Sequence, residues 1–267
     1  MQRAAQWCAA RGRHDAAIGL FHNCLGAMQR MGDPKGEGIM HHNLGLAHQL
    51  KGDLRGAVAH YNRALALEDL AGDVPHLAQS WIAVGACHRQ LGDYAKAREC
   101  FHKAYLRAIQ ASFVNAQAAS CQYAAEVAEL QGDTPGAIEQ WGRLFRIGQE
   151  ARQAQLAAYA ANQLARLHLE QGSREEAWAE AEEARSLAEA AKDPFNVGLA
   201  LATLGELCMK ESAWSRALDL LLKAERLLQK HGGSDCSAFV HQRLEQVHQA
   251  LGNEAEARRY HELGALR

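Results

Sequence analysis

The sequence predicts an all-α protein, a right-handed α-α superhelix of about seven helix-turn-helix repeats. Three observations predict it. Gly12, Gly52, Gly92, Gly132, Gly172 and Gly252 fall on a strict 40-residue lattice whose remaining point is Ser212. Ala17, Ala57, Ala97, Ala137, Ala177, Ala217 and Ala257 each stand five residues beyond a lattice point. Apolar residues on both sides of the hinges recur at i, i+3, i+4 and i+7, the spacing of one helix face. Self-similarity at such a period marks stacked units, none of which can bury its apolar faces alone.

The expected units run approximately 1–35, 36–75, 76–115, 116–155, 156–195, 196–235 and 236–267, as one solenoid over 1–267. In the second unit His41, Leu44, Gly45 and His48 form the stripe of a first helix. Leu54, Ala57, Val58, Tyr61, Ala64 and Leu65 form the stripe of a second helix. Gly52 between them suits a helix C-cap with positive φ. Asp53, Asp93 and Asp133, which follow the hinge glycines, suit helix N-caps. Pro135 suits the first turn of its helix, where its missing N–H costs nothing. Gly32-Asp33-Pro34, Gly72-Asp73-Val74-Pro75 and Asp193-Pro194 read as the ends of second helices, and Gly232-Gly233 as a joint before the last unit. Small residues let two helices cross closely. Gly45, Gly85, Gly205, Ala125 and Ala165 share one register and are expected to face Ala57 and its equivalents. Phe21, Tyr61, Phe101, Trp141, Leu221 and His261, four residues after most of those alanines, are expected to plug the gap toward the next unit. Ala181 departs from that rule.

Charge and composition narrow the function. The chain has 29 Lys+Arg against 31 Asp+Glu, a net charge of −2, which counts against a nucleic-acid binder that neutralises phosphates. No run approaches the roughly 18 apolar residues of a membrane span. Met1-Gln2-Arg3-Ala4 lacks the apolar core of a signal peptide. The 7 cysteines show no paired metal-like spacing, which predicts a reduced, cytoplasmic setting.

A small residue in the first helix, Gly in the turn, then Ala, an aromatic and Ala in the second helix resembles the tetratricopeptide repeat. Trp81, Val84, Gly85, Gly92, Ala97, Phe101 and Ala104 match that motif most fully, with Leu44, Gly45, Ala57, Tyr61 and Ala64 close behind. The resemblance covers the whole chain as about seven units. The period exceeds the usual ~34 residues. The longer form resembles the repeats of Pins/LGN-like adaptors, rapsyn, ciliary scaffolds and bacterial peptide-sensing regulators.

The resemblance implies that first helices line a concave groove. Its wall would hold the residues ten, six and three before each hinge, an i, i+4, i+7 row. These are His42, Leu46, Gln49; Ile82, Ala86, Arg89; Gln122, Glu126, Glu129; Asn162, Arg166, Leu169; Ala202, Glu206, Met209; and Gln242, Gln246, Gln249. Asn43, Gln163 and Arg243 stand beside them. A polar, amide-rich groove of this kind suits an extended or helical peptide. His42 and Leu46 occupy the places where co-chaperone repeats carry a Lys and an Asn, so a clamp for a chaperone tail is not expected. Asn43, Arg89, Asn162 and Arg166 are the expected gripping residues, as in the Pins/LGN-like repeats.

Sites for chemistry are not expected. His48, His88, His168 and His248 recur four residues before hinges, a register shared with Cys8, Ala128 and Cys208, and read as packing residues. His41-His42 lacks a third ligand at zinc-like spacing. His14, His22, His60, His102 and His261 fall on second helices without a shared site. The cysteines read as small core residues, with Cys236 as an exposed thiol. The acidic run through Glu175, Glu176, Glu180, Glu182 and Glu183 reads as a solvated helix face. No catalytic motif occurs, so no enzyme, no metal and no cofactor are expected.

The expected function is therefore a protein-interaction adaptor that takes a peptide or helix of a protein partner, without nucleic acid or membrane insertion. Two alternatives are a structural subunit of a cytoskeletal or ciliary assembly and a peptide-sensing regulator. Nothing like a polar closing helix follows Tyr260-His261-Glu262-Leu263, which predicts an open apolar face and end-to-end or side-by-side assembly.

Overall fold

The computed structural model describes residues 2–231 and 234–265, with the side chains at 2, 6, 9 and 234–236 outside that description. The expectations for Gly232-Gly233 and for the Cys236 thiol therefore lie outside the described residues. Fourteen helices and no strand occur among those described. They are α1 (Gln2–Ala10), α2 (His14–Met31), α3 (Pro34–Lys51), α4 (Leu54–Leu70), α5 (Val74–Gln90), α6 (Tyr94–Gln110) and α7 (Val114–Leu130). They continue with α8 (Thr134–Glu150), α9 (Ala154–Gln171), α10 (Arg174–Ala190), α11 (Pro194–Lys210), α12 (Trp214–His231), α13 (Ser234–Ala250) and α14 (Glu254–Ala265). The all-α helical repeat is the fold that the lattice predicts.

The hinges form as their residues dictate. Gly12, Gly52, Gly92, Gly132, Gly172 and Gly252 all have left-handed φ, and Ser212 adopts the same conformation at φ 58°. Beyond each hinge, the Asp53, Asp93 and Asp133 carboxylates accept the backbone N–H of Gly56, Lys96 and Gly136, which caps the next helix. A second lattice lies halfway between the hinges, taking in the expected helix ends at Gly32 and Gly72 and continuing through positions that are not glycine. Gly32, Gly72, Ser112, Arg152 and Lys192 also have left-handed φ, so the backbone repeats its turn every 20 residues. At each of these turns the next N–H reaches back five residues, as from Asp53 to the His48 carbonyl at 2.9 Å and from Phe113 to the Ala108 carbonyl at 2.8 Å. That pattern satisfies carbonyls which the helix end would leave open.

The chain falls into two compact units, Met1–Gln140 and Trp141–Arg267, divided within α8. In the first unit α3 touches α5 and α5 touches α7; in the second α9 touches α11 and α11 touches α13. First helices of successive pairs thus lie side by side. The repeated alanines Ala17, Ala57, Ala97, Ala177 and Ala217 are fully buried, as close crossing requires.

One packing expectation needs correction. A Cβ at Gly45 would stand 2.7 Å from the Tyr61 ring, one at Gly85 2.6 Å from Phe101, and one at Gly205 2.8 Å from Leu221. These glycines therefore face the large side chain of their own pair, while the expected contact was with the small alanine. The same side chains also reach forward: Tyr61 packs with Leu77 and Val84, Phe101 with Val127, and Leu221 with Val240 and Leu244. The last described helix is also unlike the expected open apolar face. α14 carries no exposed large apolar residue, and Arg258, Arg259, His261 and Glu262 face solvent.

Candidate functional site

The first helices of the unit Trp141–Arg267 enclose a cavity of about 420 Å³. α9 contributes Asn162, Gln163, Arg166, Leu169 and Glu170. α11 contributes Leu199, Ala202, Thr203, Glu206 and Lys210. Phe239 and Arg243 come from α13, and Leu228 closes the floor from α12. A mostly apolar cavity with a few convergent polar groups is the common form of a ligand site. Seven of the expected groove residues, Asn162, Gln163, Arg166, Leu169, Ala202, Glu206 and Arg243, are brought together here.

Their geometry differs in detail from a simple solvated row. Asn162 is only 4% exposed. Its Nδ2 donates to the Asn196 carbonyl at 3.1 Å and to Asn196 Oδ1 at 3.2 Å. Asn196 is held in turn by Asp193, which accepts its backbone N–H at 3.2 Å and its Nδ2 at 2.8 Å. The Asn162 Oδ1 atom is buried without a partner. A buried acceptor left unpaired costs about 1–3 kcal/mol, so an incoming donor would be favoured. Arg243 pairs with Glu206 at 2.9 Å, lies 4.7 Å above the Phe239 ring, and keeps a buried Nε without a partner. Arg166 donates to Gln163 Oε1 and pairs with Glu170 at 2.9 Å. Gln242 and Gln246 are exposed on α13.

In the unit Met1–Gln140 the expected residues are tied to one another. Arg89 pairs with Glu126 and lies over Tyr123, and Gln122 donates to Glu126 at 3.0 Å. Gln49 accepts from the Tyr61 hydroxyl at 3.1 Å. Asn43 and Glu129 are half-buried. His42 is turned into the helix layer rather than toward a ligand. Its Nδ1 meets Ser80 Oγ at 2.9 Å, and Ser80 donates to Glu68 at 3.1 Å. Burial pushes His42 down to about 4 and Glu68 up to about 7. Ser80 is fully buried, so this chain of groups presents no nucleophile to solvent.

The histidines at the hinge register do more than fill space. His48 Nδ1 contacts Asp53 at 2.9 Å and His168 contacts Glu180 at 2.7 Å, while His248 stacks on Tyr260. Two of the second-helix histidines nevertheless touch. His22 and His60 gather with His41 and His48, all within 5.1–5.9 Å of the His60 ring. Linear spacing hid this cluster, because its members come from three helices. Cys8, Cys24, Cys87, Cys100, Cys121 and Cys208 are buried, and burial pushes the Cys87 and Cys100 thiols up to about 11. Glu175, Glu176 and Glu183 are exposed, as expected of a solvated face, whereas Glu180 is drawn in toward His168. Among the described residues no helix is long and apolar enough to cross a membrane.

Tetratricopeptide repeat models match residues 1–68 and 78–109. No curated protein matches the chain. Among solved structures the chain is similar to BtubC (BKLC) from P. vanneervenii, at 19% identity and TM-score 0.66 over 79% of this chain and 91% of that one. It is similar to nearly identical TPR-like repeats of a putative kinesin light chain from Podosopora anserina, at 17% identity and TM-score 0.58 over 71% of this chain and 94% of that one. It is also similar to a Rap protein complexed with Competence and Sporulation Factor, at 14% identity and TM-score 0.55 over 95% of this chain and 75% of that one. Repeat lattice, paired helices and matched segments agree on tetratricopeptide repeats over residues 1–68 and 78–109, and the solved structures of similar fold show the same helical-repeat architecture for the rest of the chain.

Proposed function

We propose that this tetratricopeptide scaffold for protein–protein contacts is non-enzymatic and seats a peptide segment of a partner on the first helices of the unit Trp141–Arg267. The cavity lined by Asn162, Arg166, Glu206, Phe239 and Arg243 carries this reading. Its apolar floor of Leu199, Ala202 and Leu228 suits one inserted apolar side chain. The unpartnered Asn162 Oδ1 suits a backbone N–H beside that anchor. Paired Arg243 and Glu206 supply both signs of charge at the rim, which favours a polar, near-neutral segment over a strongly charged one. A Rap protein of similar fold is solved with Competence and Sporulation Factor, which supports a ligand-taking face for such an array.

The test is a peptide-display library panned on the full chain and on Thr203→Tyr, which fills the cavity from an already half-buried position. Peptides selected on the wild type should carry an apolar anchor and lose at least about tenfold in affinity on Thr203→Tyr. Undiminished binding to Thr203→Tyr would move the interaction to second-helix or end-on contacts.

A further inference from the structure

The cluster of imidazoles in the unit Met1–Gln140 has no part in the peptide face. His41 on α3 and His60 on α4 bring their Nδ1 atoms to 3.1 Å, with ring centroids 5.4 Å apart. His22 on α2 stands edge-on to the His60 ring at 5.9 Å, and His48 on α3 stacks on that ring at 5.1 Å. Three helices of the first two repeats thus meet through one group of titratable rings. The same helices share the apolar contact of Phe21, Cys24 and Leu25 with Met40 and Leu44.

The His41–His60 contact limits how much charge the cluster can hold. A neutral imidazole has one N–H and one acceptor nitrogen, whereas a protonated imidazole has two N–H donors. One Nδ1 must therefore donate and the other accept. With both rings protonated, two N–H groups would face each other across 3.1 Å. His41 is only 5% exposed, so water screens that charge little. The surroundings supply no counterion. His22 and Arg63 are the charged neighbours of His41, and His48 joins them around His60. The nearby carboxylates, Asp15 on α2 and Asp53 before α4, face His48, and Asp15 is itself paired with Lys51 at 2.6 Å. Burial first, and these like charges second, hold His41 below the ordinary imidazole range and push His60 down to about 4.

We propose that this cluster is an acid-sensitive latch: neutral rings hold α2, α3 and α4 together, and protonation of both His41 and His60 loosens that seam. The sign follows from linkage. The loosened helices take up protons near the ordinary imidazole value of about 6.5, and the closed seam only at lower pH. The latch is therefore fully closed above that value and weakens as pH falls toward the His60 value of about 4. Such opening is local, since a group of helices can loosen while the rest of a fold stays closed. It uncovers Met40 and Leu44, which α2 otherwise covers. His42 on α3 titrates in the same direction, but its partner is Ser80 on α5, so a substitution at His60 separates the two.

Hydrogen exchange of the full chain, read by mass spectrometry at about pH 7.5 and about pH 5 and corrected for the intrinsic pH dependence of exchange, tests the latch. On acidification the protection of α2, α3 and α4 should fall at least about tenfold more than that of α11, which carries no histidine. His60→Gln keeps a hydrogen-bonding group beside His41 and cannot take the charge, so its α2–α4 segment should stay protected at the lower pH. In the wild type, proton NMR should show His41 and His60 titrating at least about one pH unit below the exposed His102. Equal corrected protection of α2–α4 at both pH values would overturn the proposal, and so would His41 and His60 titrating together with His102. A loss that persists in full in His60→Gln would assign the acid response to His42 and overturn it as well. The two wild-type measurements decide the matter even if His60→Gln fails to fold.

Discussion

The two units solve one packing problem with different side chains. In Met1–Gln140 a glycine on the first helix receives an aromatic ring, Gly45 under Tyr61 and Gly85 under Phe101. In the α9–α10 and α11–α12 pairs of Trp141–Arg267 the equivalent contacts are smaller: Ala181 packs with Ala165, and Leu221 sits on Gly205. The polar residues of the first helices differ in parallel. The first unit locks them into His42–Ser80–Glu68 and Arg89–Glu126, whereas the second leaves a cavity beside Asn162 and Arg243. Aliphatic and small contacts leave space that polar groups can border.

The largest effect that sharpens this contrast is expected at the ring plugs. Phe101→Ala should lower unfolding free energy by about 3–5 kcal/mol, and Leu221→Ala by about 2–3 kcal/mol. Urea unfolding of both variants measures the difference, and a reversed order would break the comparison. The complementary change is Gly85→Ala. Its new Cβ would stand 2.6 Å from a Phe101 ring that is itself stacked on Tyr123, so the ring cannot simply swing away. A cost of about 1–3 kcal/mol is expected in the same assay.

The buried polar chain of the first unit gives a pH signature. Burial raises Glu68 from the ordinary 4.5 to about 7. The folded chain therefore keeps a proton on Glu68 that the unfolded chain releases between those values. Its contribution to stability is full below pH 4.5 and is lost as pH rises toward 7. His42, lowered from 6.5 to about 4, acts in the opposite sense, with stability lost as pH falls through that window. Glu68→Gln removes only the first effect. It should exceed the wild type by on the order of 1–2 kcal/mol at pH 8 and converge with it near pH 4.5, read by thermal melts across pH. A gain independent of pH would mean that Glu68 is ionised or neutral in both states alike.

The smallest expected effects lie at the turns. The first unit places glycine at most of its left-handed positions, but the second holds Arg152, Lys192 and Ser212 there. Arg152→Gly and Lys192→Gly relieve an unfavourable backbone and should be neutral or gain up to about 0.5 kcal/mol, the relief being partly offset by unfolded-state entropy. Gly52→Ala, at φ 90°, should lose about 1 kcal/mol. Melting temperatures of the three variants order these effects, and a stabilised Gly52→Ala would contradict the strain argument.

Those turns also show how far the sequence could be read. Eight of the described left-handed turns are spelled in glycine and are legible, and Ser212 is legible as the missing point of the hinge lattice. The remaining three, Ser112, Arg152 and Lys192, have side chains that carry no sign of a left-handed backbone. The groove row was legible as a helical spacing, and Asn162, Arg166, Glu206 and Arg243 do share one cavity. Spacing along one helix could not show that Asn162 is turned inward onto Asn196, or that His42 meets Ser80 two helices away. The imidazole cluster was invisible for the same reason, since His22, His41 and His60 share no register.

Periodicity by itself determined the helix pairs, their hinges and the buried alanines, because those depend on backbone conformation and on neighbours within about one repeat. Tertiary structure alone decided which polar atoms found partners and which stayed open. Hydrogen bonding and ring packing act over a few ångströms in space, between residues that the chain separates by twenty to forty positions.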